Sequence, residues 1–590
     1  MFIVTCERIN KTSKYLVSFS FNDQLIERIK NLPEEERKYS AIEKKWSLSV
    51  GGLMHLIEEY RKSSKIFFTF DDRGKFIELY RKYRIVELEK EKEIELLTQN
   101  KEKWVKYKNE LSDTYMKYSC EMHLNLKNNV KLYPHQIIGA LFMNEVKNTL
   151  LALDMGTGKS LCAIACAEKN SFNKVIVLTP NSLKFNYFNE IEKFTNSKSH
   201  VIGWKRNKYT IEESKYIIIN YDFFNSSNQK YAIEKWNKLN IGKINALIAD
   251  ECQALKNTNS NRYKNYKKIF KAEAFVGGDK FSCFLSGTPM TNRAKELYSI
   301  MHEINSIDFK TQKYFYEYYC GMTYDYYNGY GWTVDESKTK FEELFNKISP
   351  YVYRKKIEEV IDDLPEKSYQ KILLELDDSE QKTYDNIECG VVNEFTNGEI
   401  NNPLTIMLRL RQYTSHNKVK YISELIDTII DTGEKIVIFD VFKEPLKNLH
   451  EKYESISVLH TGDSSPEERC DMINAFQDGN SSVKIFLSTF SSGNFGLTLT
   501  AASKMFLLTL PYSLGEYIQA AARIFRIGQK NNVIIYPLIF SNTIDEYVYT
   551  MIESKQGEVS AVLDNEKFKS NTDESVLNDV IIYLKEKYGK

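Results

Sequence analysis

The sequence predicts an α/β protein that contains two separate parallel β-sheets. Two series of short apolar runs, separated by helix-like stretches, support this prediction, because strands buried on both faces of a parallel sheet are apolar throughout. The first series is TLLALD, KVIVLTP, KYIIIN, INALIAD and FSCFLSG, and the second is KIVIFD, SISVLH, VKIFLST, KMFLLTL and VIIYPLI. The length of 590 residues is enough for about three to five compact units.

The N-terminal residues 1–83 predict a small α+β domain. Apolar and polar positions alternate from Tyr15 to Phe21, and helical patterns follow from Gln24 to Leu32 and from Leu53 to Tyr60. Residues 84–123 are charged and contain neither Gly nor Pro. This composition favours a solvated helical connector over a binding site.

The remaining chain divides into four predicted regions. Residues 124–304 and 431–560 contain the two series of strands, residues 305–430 read as mostly helical, and residues 561–590 read as a helical tail. The aromatic-rich stretch from Tyr314 to Trp332 lies in the helical region. We expect its tyrosines to pack in a core more than to stack on nucleic-acid bases.

Composition excludes several classes of protein. With 81 Lys and Arg against 80 Asp and Glu, the net charge is +1, which excludes a globally basic nucleic-acid coat and an acidic tail protein. The nine cysteines include no CxxC pair, so neither a disulfide framework nor a cysteine zinc site is indicated. The N-terminus lacks the apolar run of a signal peptide, and no apolar stretch reaches about 18 residues. A soluble intracellular protein without membrane attachment is therefore expected.

The segment from Met155 to Ser160 has the sequence and context of a phosphate-binding loop. It follows the first predicted strand and precedes the helix-like LCAIACAEK. The glycines would let backbone N–H groups close on phosphate oxygens, the lysine would reach the β- and γ-phosphates, and the serine would bind Mg²⁺. Leu153 stands where the fuller pattern has Gly. The predicted nucleotide-binding residues here are Met155, Gly156, Thr157, Gly158, Lys159 and Ser160.

An acidic pair, Asp250 and Glu251, ends the predicted strand NALIAD. Asp250 would hold Mg²⁺ and Glu251 would polarise the attacking water. We expect this strand one place over from the strand of the phosphate loop. An ordinary strand-terminal turn is the alternative, but the order after a phosphate loop favours catalysis.

With KLYPHQ before the loop and LSGTPMTN after the acidic pair, the chain resembles superfamily 2 helicases, and specifically the Swi/Snf-type ATPases. The resemblance continues through DECQALKN, HTGDSSPEERCDMINAF, STFSSGNFGLTLTAAS and IQAAARIFRIGQ. It spans approximately residues 126–555. It implies two RecA-like lobes of the phosphate-loop NTPase class, ATP and Mg²⁺ as ligands, and movement on duplex DNA.

The resemblance also implies roles for particular residues. Gln136 looks like the glutamine that reads the adenine edge, for which an amide offers a donor and an acceptor. Arg523 and Arg526, three apart on an expected helix, look like arginine fingers for the γ-phosphate. Gly496 and Gln519 are assigned to the nucleotide site.

Further residues are assigned to coupling and to DNA. Gln253, Ser286 and Thr288 look like the residues that link the acidic pair to the DNA-bound state. Contacts with DNA should be to phosphates and independent of base sequence, because a translocase must release each contact and move on. The expected DNA-contacting residues are Thr179, Lys256, Ser488 and Thr489.

The chain departs from the family pattern at three places. Gln253 replaces the usual His, Ala522 replaces the usual Asp before the first arginine, and Pro511–Ser513 replaces Trp-Asn-Pro. None of these changes removes a group that handles phosphate, so an active ATPase is expected.

Within the family, two segments resemble the fork-remodelling, annealing-helicase branch. The segment from Tyr314 to Ile348 is one of them. The N-terminal strand, helix, Pro loop and Tyr-then-Trp hairpin form the other, which is similar to a HARP-like DNA-recognition module. A generic α+β appendage is the alternative for the N-terminal segment.

The expected function is that of a monomeric, ATP-dependent double-stranded-DNA translocase that remodels branched or protein-bound DNA without sequence preference. Alternatives are a strand-separating DNA or RNA helicase and the motor subunit of a restriction or nuclease complex. A non-enzymatic alternative is an ATP-binding DNA scaffold.

Overall fold

The computed structural model describes residues 2–9, 12, 14–20, 22–32, 36–40, 44–60, 66–117, 126–127, 130–325, 331–360, 364–396, 403–493 and 497–567. The chain divides into two compact units, Met1–Lys103 and Trp104–Lys590. Within the described ranges, no helix is both long and apolar enough to cross a membrane.

The N-terminal unit is a mixed five-stranded sheet with two short helices. Its strands and helices are β1 (Phe2–Arg8), β2 (Lys14–Ser18), α1 (Asp23–Asn31), β3 (Arg37–Ser40), β4 (Lys45–Ser49), α2 (Val50–Tyr60) and β5 (Ile66–Phe70). The strand order is β3-β4-β2-β1-β5, with β1 and β5 parallel and the other pairs antiparallel. Tyr39 lies opposite Trp46 in β3 and β4, with ring centroids 4.9 Å apart, which confirms the predicted Tyr-then-Trp hairpin.

Helix α3 (Arg73–Lys117) has 45 residues and contains most of the predicted charged connector. It begins inside the predicted module 1–83, because residues 73–84 continue the helix without interruption. Residues 118–123 of the predicted connector lie outside the described residues.

The first lobe of the second unit has a seven-stranded, fully parallel sheet. Its strands are β6 (Asn148–Leu153), β7 (Val175–Thr179), β8 (Ser199–Val201), β9 (Tyr216–Asn220), β10 (Ala246–Asp250), β11 (Ser282–Leu285) and β14 (Val352–Lys355). The order is β14-β6-β11-β10-β7-β9-β8. The helices are α4 (Pro134–Val146), α5 (Lys159–Lys169), α6 (Lys184–Phe194), α7 (Gln229–Asn237), α8 (Asn261–Ile269) and α9 (Tyr298–Ile304). Each run of the first predicted series forms a strand of this sheet.

The region 305–430 contains helices, as predicted, and also short strands. The helices are α10 (Gln312–Tyr319), α11 (Phe341–Ile348), α12 (Asp378–Thr396) and α13 (Pro403–Asp431). The strands, besides β14, are β12 (Cys320–Asp325), β13 (Gly331–Thr339), β15 (Lys367–Tyr369) and β16 (Ile372–Leu374). Strands β12 and β13 form an antiparallel hairpin. Strands β15 and β16, with three residues each, are too short to show a periodicity in the sequence.

The second lobe has another parallel sheet. Its further strands are β17 (Ile436–Asp440), β18 (Ser457–His460), β19 (Ile485–Thr489), β20 (Lys504–Leu507) and β21 (Val533–Phe540), in the order β15-β21-β20-β17-β19-β18 with β16 also paired to β21. The helices are α14 (Lys443–Lys452), α15 (Pro466–Gln477), α16 (Phe490–Gly493), α17 (Leu514–Ala521) and α18 (Ile544–Asp564). Two parallel-sheet lobes and a small N-terminal sheet confirm the predicted α/β class with two RecA-like lobes.

Helix α18 joins the cores of the two lobes. Ile544 and Val548, near its start, pack in the core of the second lobe. Ala561, Val562 and Leu563, in its last turn, pack in the core of the first lobe. The predicted tail 561–590 therefore begins as the last turn of this helix, and its residues 568–590 lie outside the described residues.

Candidate nucleotide site and lobe interface

The phosphate-binding loop connects β6 to α5 and depends on two glycines. Gly156 and Gly158 have φ values of 81° and 85°, in the left-handed region that other residues rarely adopt. A Cβ atom on Gly158 would lie 2.3 Å from Nε2 of Gln136. Both glycines therefore allow the tight turn into the N-terminus of α5, which is where known phosphate sites lie.

Gln136 lies at the start of α4, and its side chain contacts the phosphate loop. Its Nε2 donates a 2.9 Å hydrogen bond to the carbonyl of Thr157, and its Oε1 accepts a 3.0 Å bond from the backbone N–H of Tyr133. The ring of His135 contacts the same Thr157 carbonyl at 2.9 Å. In this structure the Gln136 amide supports the loop, and its role in reading adenine stays a prediction.

Lys159 is buried at the first position of α5. Its Nζ donates a 3.2 Å hydrogen bond to the carbonyl of Asp154. Burial lowers the pKa of Lys159, and the nearby carboxylates of Glu251 and Asp250 oppose this shift. A Cβ atom on Gly287 would lie 3.2 Å from the Lys159 amine, so this glycine keeps the space beside the amine open. The lysine therefore presents a desolvated positive charge near the loop.

The acidic pair lies at the end of β10. Strand β11 separates β10 from β6, so the predicted position one strand from the phosphate loop was wrong. Burial, and then the charge of Glu251, raise the pKa of Asp250. Glu251 has a φ of 49°, a left-handed conformation that costs roughly 1–3 kcal/mol in a residue other than glycine and is concentrated at functional sites.

The donor set fits a divalent cation. Two adjacent carboxylates in a buried site are stable in their charged form only beside positive charge. Ser160 and Asp250 both neighbour the buried side chain of Tyr187, and hydroxyl and carboxylate oxygens are the ligands that Mg²⁺ prefers.

A chain of hydrogen bonds leads from the acidic pair to the second lobe. Gln253 donates a 2.7 Å bond to the Glu251 carboxylate and accepts a 2.8 Å bond from the Ser286 hydroxyl. The Ser286 hydroxyl accepts a 3.0 Å bond from the backbone N–H of Thr288. The Thr288 hydroxyl accepts a 3.4 Å bond from the side-chain amide of Gln519, on α17. The position of β11 between β6 and β10 brings these residues together.

Two arginines of the second lobe reach the same site. A Cβ atom on Gly156 would lie 3.0 Å from Cγ of Arg526, so Arg526 packs directly against the phosphate loop. Its Nη1 donates a 3.0 Å bond to the Thr498 hydroxyl. Arg523 is buried, and this burial together with the charge of Arg526 lowers its pKa to about 10, while Glu251 acts in the opposite direction. The second lobe therefore contributes positive charge beside the acidic pair.

These arginines do not lie on a helix, contrary to the prediction. Helix α17 ends at Ala521, and Arg523 and Arg526 lie in the turns that follow. The backbone N–H of Gln529 donates a 3.0 Å bond to the Arg526 carbonyl, and the buried Gln529 amide donates a 2.8 Å bond to the carbonyl of Ala502. Gln529 therefore fixes the turn that carries the arginines.

The structure places the predicted DNA-contacting side chains in less accessible positions than expected. Thr179 and Ser488 are fully buried, because each lies at the end of a central strand. Thr489 donates a 2.9 Å bond to Ser492. Lys256 forms a 2.8 Å ion pair with Glu296. Contact of these side chains with DNA stays a prediction, and it would require them to leave the positions described here.

The other predicted nucleotide-binding residues divide into two groups. Met155 and Thr157 lie in the phosphate loop, and the Thr157 hydroxyl donates a 2.7 Å bond to the Asp154 carbonyl. Gly496 lies outside the described residues.

Sequence reasoning missed an ionic cluster next to the phosphate loop. Arg354, on β14, contacts the carboxylates of Asp154 and Asp564. These residues are about 200 positions apart in the chain, so no local pattern indicates the cluster. The signals in the sequence were Asp154 directly before the loop and Arg354 in the stretch YRKKIEEVIDDLPEK, and neither indicates its partner.

Comparison with known proteins gives two family matches. The family described as SNF2-related domain matches residues 53–419, more than half of the chain. The family described as helicase conserved C-terminal domain matches residues 417–528.

Curated relatives are similar at low identity. An uncharacterized ATP-dependent helicase of Mycoplasma genitalium is 26% identical over 495 residues, which cover 78% of this chain and 45% of that protein. The DNA annealing helicase and endonuclease ZRANB3 of Homo sapiens is 25% identical over 461 residues, which cover 75% of this chain and 41% of that protein. The chain therefore spans less than half the length of these two relatives.

A solved structure, the Sulfolobus solfataricus SWI2/SNF2 ATPase core in complex with dsDNA, is 24% identical with a TM-score of 0.35. It covers 76% of this chain and 95% of that chain. The extent of the first family match, taken with the phosphate loop, the acidic pair and the arginines that meet between two parallel-sheet lobes, shows that the chain belongs to the SNF2-related family of helicase-like ATPases.

Proposed function

We propose that the chain hydrolyses ATP and uses this reaction to move along duplex DNA. The packing of Arg526, from the second lobe, against Gly156 in the phosphate loop of the first lobe is the observation that carries the proposal. A nucleotide site built from both lobes is complete only when the lobes meet, which is how hydrolysis can be linked to motion.

The residues at the interface divide the chemical work. Lys159 binds the β- and γ-phosphates, and Glu251 orients the attacking water and accepts its proton. Arg523 and Arg526 stabilise the charge that develops on the transferred phosphoryl group. Ser160 and Asp250 would hold Mg²⁺, which when bound supplies positive charge against the phosphate oxygens.

The hydrogen-bond chain from Glu251 to Gln519 provides coupling between the lobes. Gln519 moves with the second lobe, whereas Gln253 and Ser286 belong to the first. Separation of the lobes would break the 3.4 Å contact between Gln519 and Thr288, whereas Gln253 would keep its bonds to Ser286 and Glu251, which lie in the first lobe. The acidic pair would then lose its hydrogen-bonded link to the second lobe.

The nature of the DNA substrate belongs to the same proposal. The human relative is a DNA annealing helicase and endonuclease, which supports DNA as the substrate, and we extend this to branched DNA as part of the proposal. The mixed sheet of the N-terminal unit, with its Tyr39–Trp46 hairpin, is the proposed DNA-recognition module. We expect phosphate-based contacts without sequence preference, and a monomeric protein.

The test is ATP hydrolysis by the full chain with no nucleic acid and with single-stranded, duplex, forked and four-way DNA or RNA. Stimulation by duplex DNA, together with ATP-dependent displacement of a triplex-forming strand, is expected. Stimulation by single strands or RNA alone would instead favour a strand-separating helicase. Glu251→Gln should bind ATP without hydrolysing it, and full activity of this variant in cells would favour a scaffold.

A further inference from the structure

One guanidinium group joins the phosphate loop to the end of the last helix. Arg354 donates from Nη1 to the Asp154 carboxylate and, at 3.0 Å, to the carbonyl of Ala152. Its Nε donates a 3.0 Å hydrogen bond to the Asp564 carboxylate. Only 16% of the Arg354 side chain is exposed, so these ionic contacts are well shielded from solvent and are stronger than surface pairs.

Asp154 is the residue through which this cluster reaches the nucleotide site. Its carbonyl accepts a 2.7 Å bond from the Thr157 hydroxyl and a 3.2 Å bond from the Lys159 amine. Its carboxylate also accepts a 3.1 Å bond from the backbone N–H of Ile357. A shift of Asp154 would therefore move groups that face the phosphates.

Asp564 is the residue through which the cluster reaches the second lobe. It is the last residue of α18, which starts in the core of the second lobe. Lys356 also pairs with Asp564, at 3.5 Å. A cavity of about 450 Å³, lined by Arg354, Lys356 and Asp564, lies beside the contact. The cavity therefore lies directly beside the ionic contacts of the helix end.

We propose that Arg354 is a positioning residue, which transmits the docking of the α18 end to the phosphate loop through Asp154. Nucleotide affinity then depends on how the second lobe holds α18, even without DNA. This inference rests on the proposed ATPase function, because it concerns the same phosphate loop. This link through Arg354 is separate from the hydrogen-bond chain between Gln519 and Gln253, because that chain ends at the acidic pair and not at the phosphate loop.

The charge state of Arg354 agrees with this arrangement. Burial alone would lower its pKa, but the carboxylates of Asp154 and Asp564 together raise it. The guanidinium therefore stays charged, and its planar fork can hold two carboxylates at once. A lysine has a single amine at this place and cannot reproduce the fork.

The experiment compares Arg354→Gln, Arg354→Lys and Asp564→Asn with the wild-type chain. The readouts are fluorescent ADP binding without DNA, KM and kcat for ATP with duplex DNA, and thermal unfolding. We expect Arg354→Gln to raise Kd for ADP and KM for ATP about tenfold, which corresponds to the loss of one charged hydrogen bond, and to change kcat less than twofold. Arg354→Lys and Asp564→Asn should give smaller increases in Kd.

Lys356→Gln is the matched control, because Lys356 pairs with the same Asp564 carboxylate and its other ion pair is with Glu566, away from Asp154. It should leave Kd for ADP within twofold of the wild type. An unchanged Kd in Arg354→Gln, with only a lower melting temperature, would overturn the inference, and so would an equal rise in Lys356→Gln. If the wild-type chain bound no nucleotide at all, the proposed function would fail as well, so the two failures are distinguishable.

Discussion

Gln253 donates a 2.7 Å hydrogen bond from its side-chain amide to the carboxylate of Glu251. The same amide accepts a bond from Ser286 through its oxygen. The Swi/Snf-type pattern has histidine at this position, and a neutral imidazole also offers one donor and one acceptor. The amide is therefore a chemical substitute for the ring in connecting the two groups.

Replacing Gln253 tests this link. Gln253→Ala should lower DNA-stimulated kcat about tenfold, because the loss of a hydrogen bond to a charged group is worth about 1.5–3 kcal/mol. KM for ATP should change little, since the hydrogen bonds of Gln253 are to the acidic pair and to Ser286. Gln253→His should restore most of the rate. The measurement is steady-state ATP hydrolysis with saturating duplex DNA, and a wild-type rate in Gln253→Ala would show that the link is not used.

Gly158→Ala should abolish nucleotide binding. The new Cβ would lie 2.3 Å from the Gln136 amide, and a left-handed conformation costs an alanine about 1–2 kcal/mol. Gly203→Ala is the matched control, because Gly203 has a φ of 83° and a Cβ atom added there would meet no other atom within 4 Å among the described residues. Both variants should lose stability in urea unfolding, Gly158→Ala more because of this clash, but only Gly158→Ala should lose binding of fluorescent ADP. Loss of binding in both would point to general destabilisation.

Arg526→Ala should slow hydrolysis by about 10³-fold while nucleotide binding is retained, because arginine fingers of this kind act on the transition state. Arg526→Lys should recover little of the rate, since a single amine cannot spread the charge as a guanidinium does. Lys530→Ala, at an exposed position four residues away, is the control and should retain the wild-type rate. Single-turnover ATP hydrolysis separates the chemical step from binding, and a rate loss below about fivefold would exclude the finger role.

Asp440 should make stability dependent on pH. Its side chain is fully buried at the end of β17, and burial raises its pKa from 3.8 to about 6. The folded chain therefore holds this proton more tightly than the unfolded chain. The contribution of Asp440 to stability is present below about pH 4 and is lost as the pH rises through about 6.

Asp440→Asn cannot titrate and isolates this effect. Relative to this variant, the wild-type chain should lose about 2–3 kcal/mol of unfolding free energy between about pH 4 and about pH 6. Urea unfolding at several pH values provides the measurement. Asp431→Asn, at an exposed site, should give a curve parallel to that of the wild type. A parallel curve for Asp440→Asn as well would contradict the prediction.

The sequence was sufficient to predict the nucleotide-binding loop and those strands of the two parallel sheets that are continuous apolar runs. Buried parallel strands such as β7 and β19 are continuous apolar runs, which makes them recognisable without knowledge of their neighbours. The phosphate loop is equally local, because its function depends on the backbone conformation of a few consecutive residues, among them Gly156 and Gly158.

The sequence was not sufficient where distant segments meet. The apolar residues of α18 indicate a buried face, but they do not indicate that Ile544 and Leu563 belong to different cores. The pairing of Lys256 with Glu296 also joins separate segments, and the spacing of these residues in the chain carries no signal of it. The segment around Arg526 was predicted as a helix but is a turn in the structure. The spacing of three residues between the arginines fits both conformations and therefore could not distinguish them.

Among the described residues, the chain crosses between the two lobes after β14 and again through α18. Rotation of one lobe about the line that joins these two crossing points stretches neither connection. Rotation of the lobes about this line would open the nucleotide site without breaking either connection. A single proteolytic cut in the segment between β14 and β15 would leave the lobes attached through α18, whereas a second cut in α18 would release them.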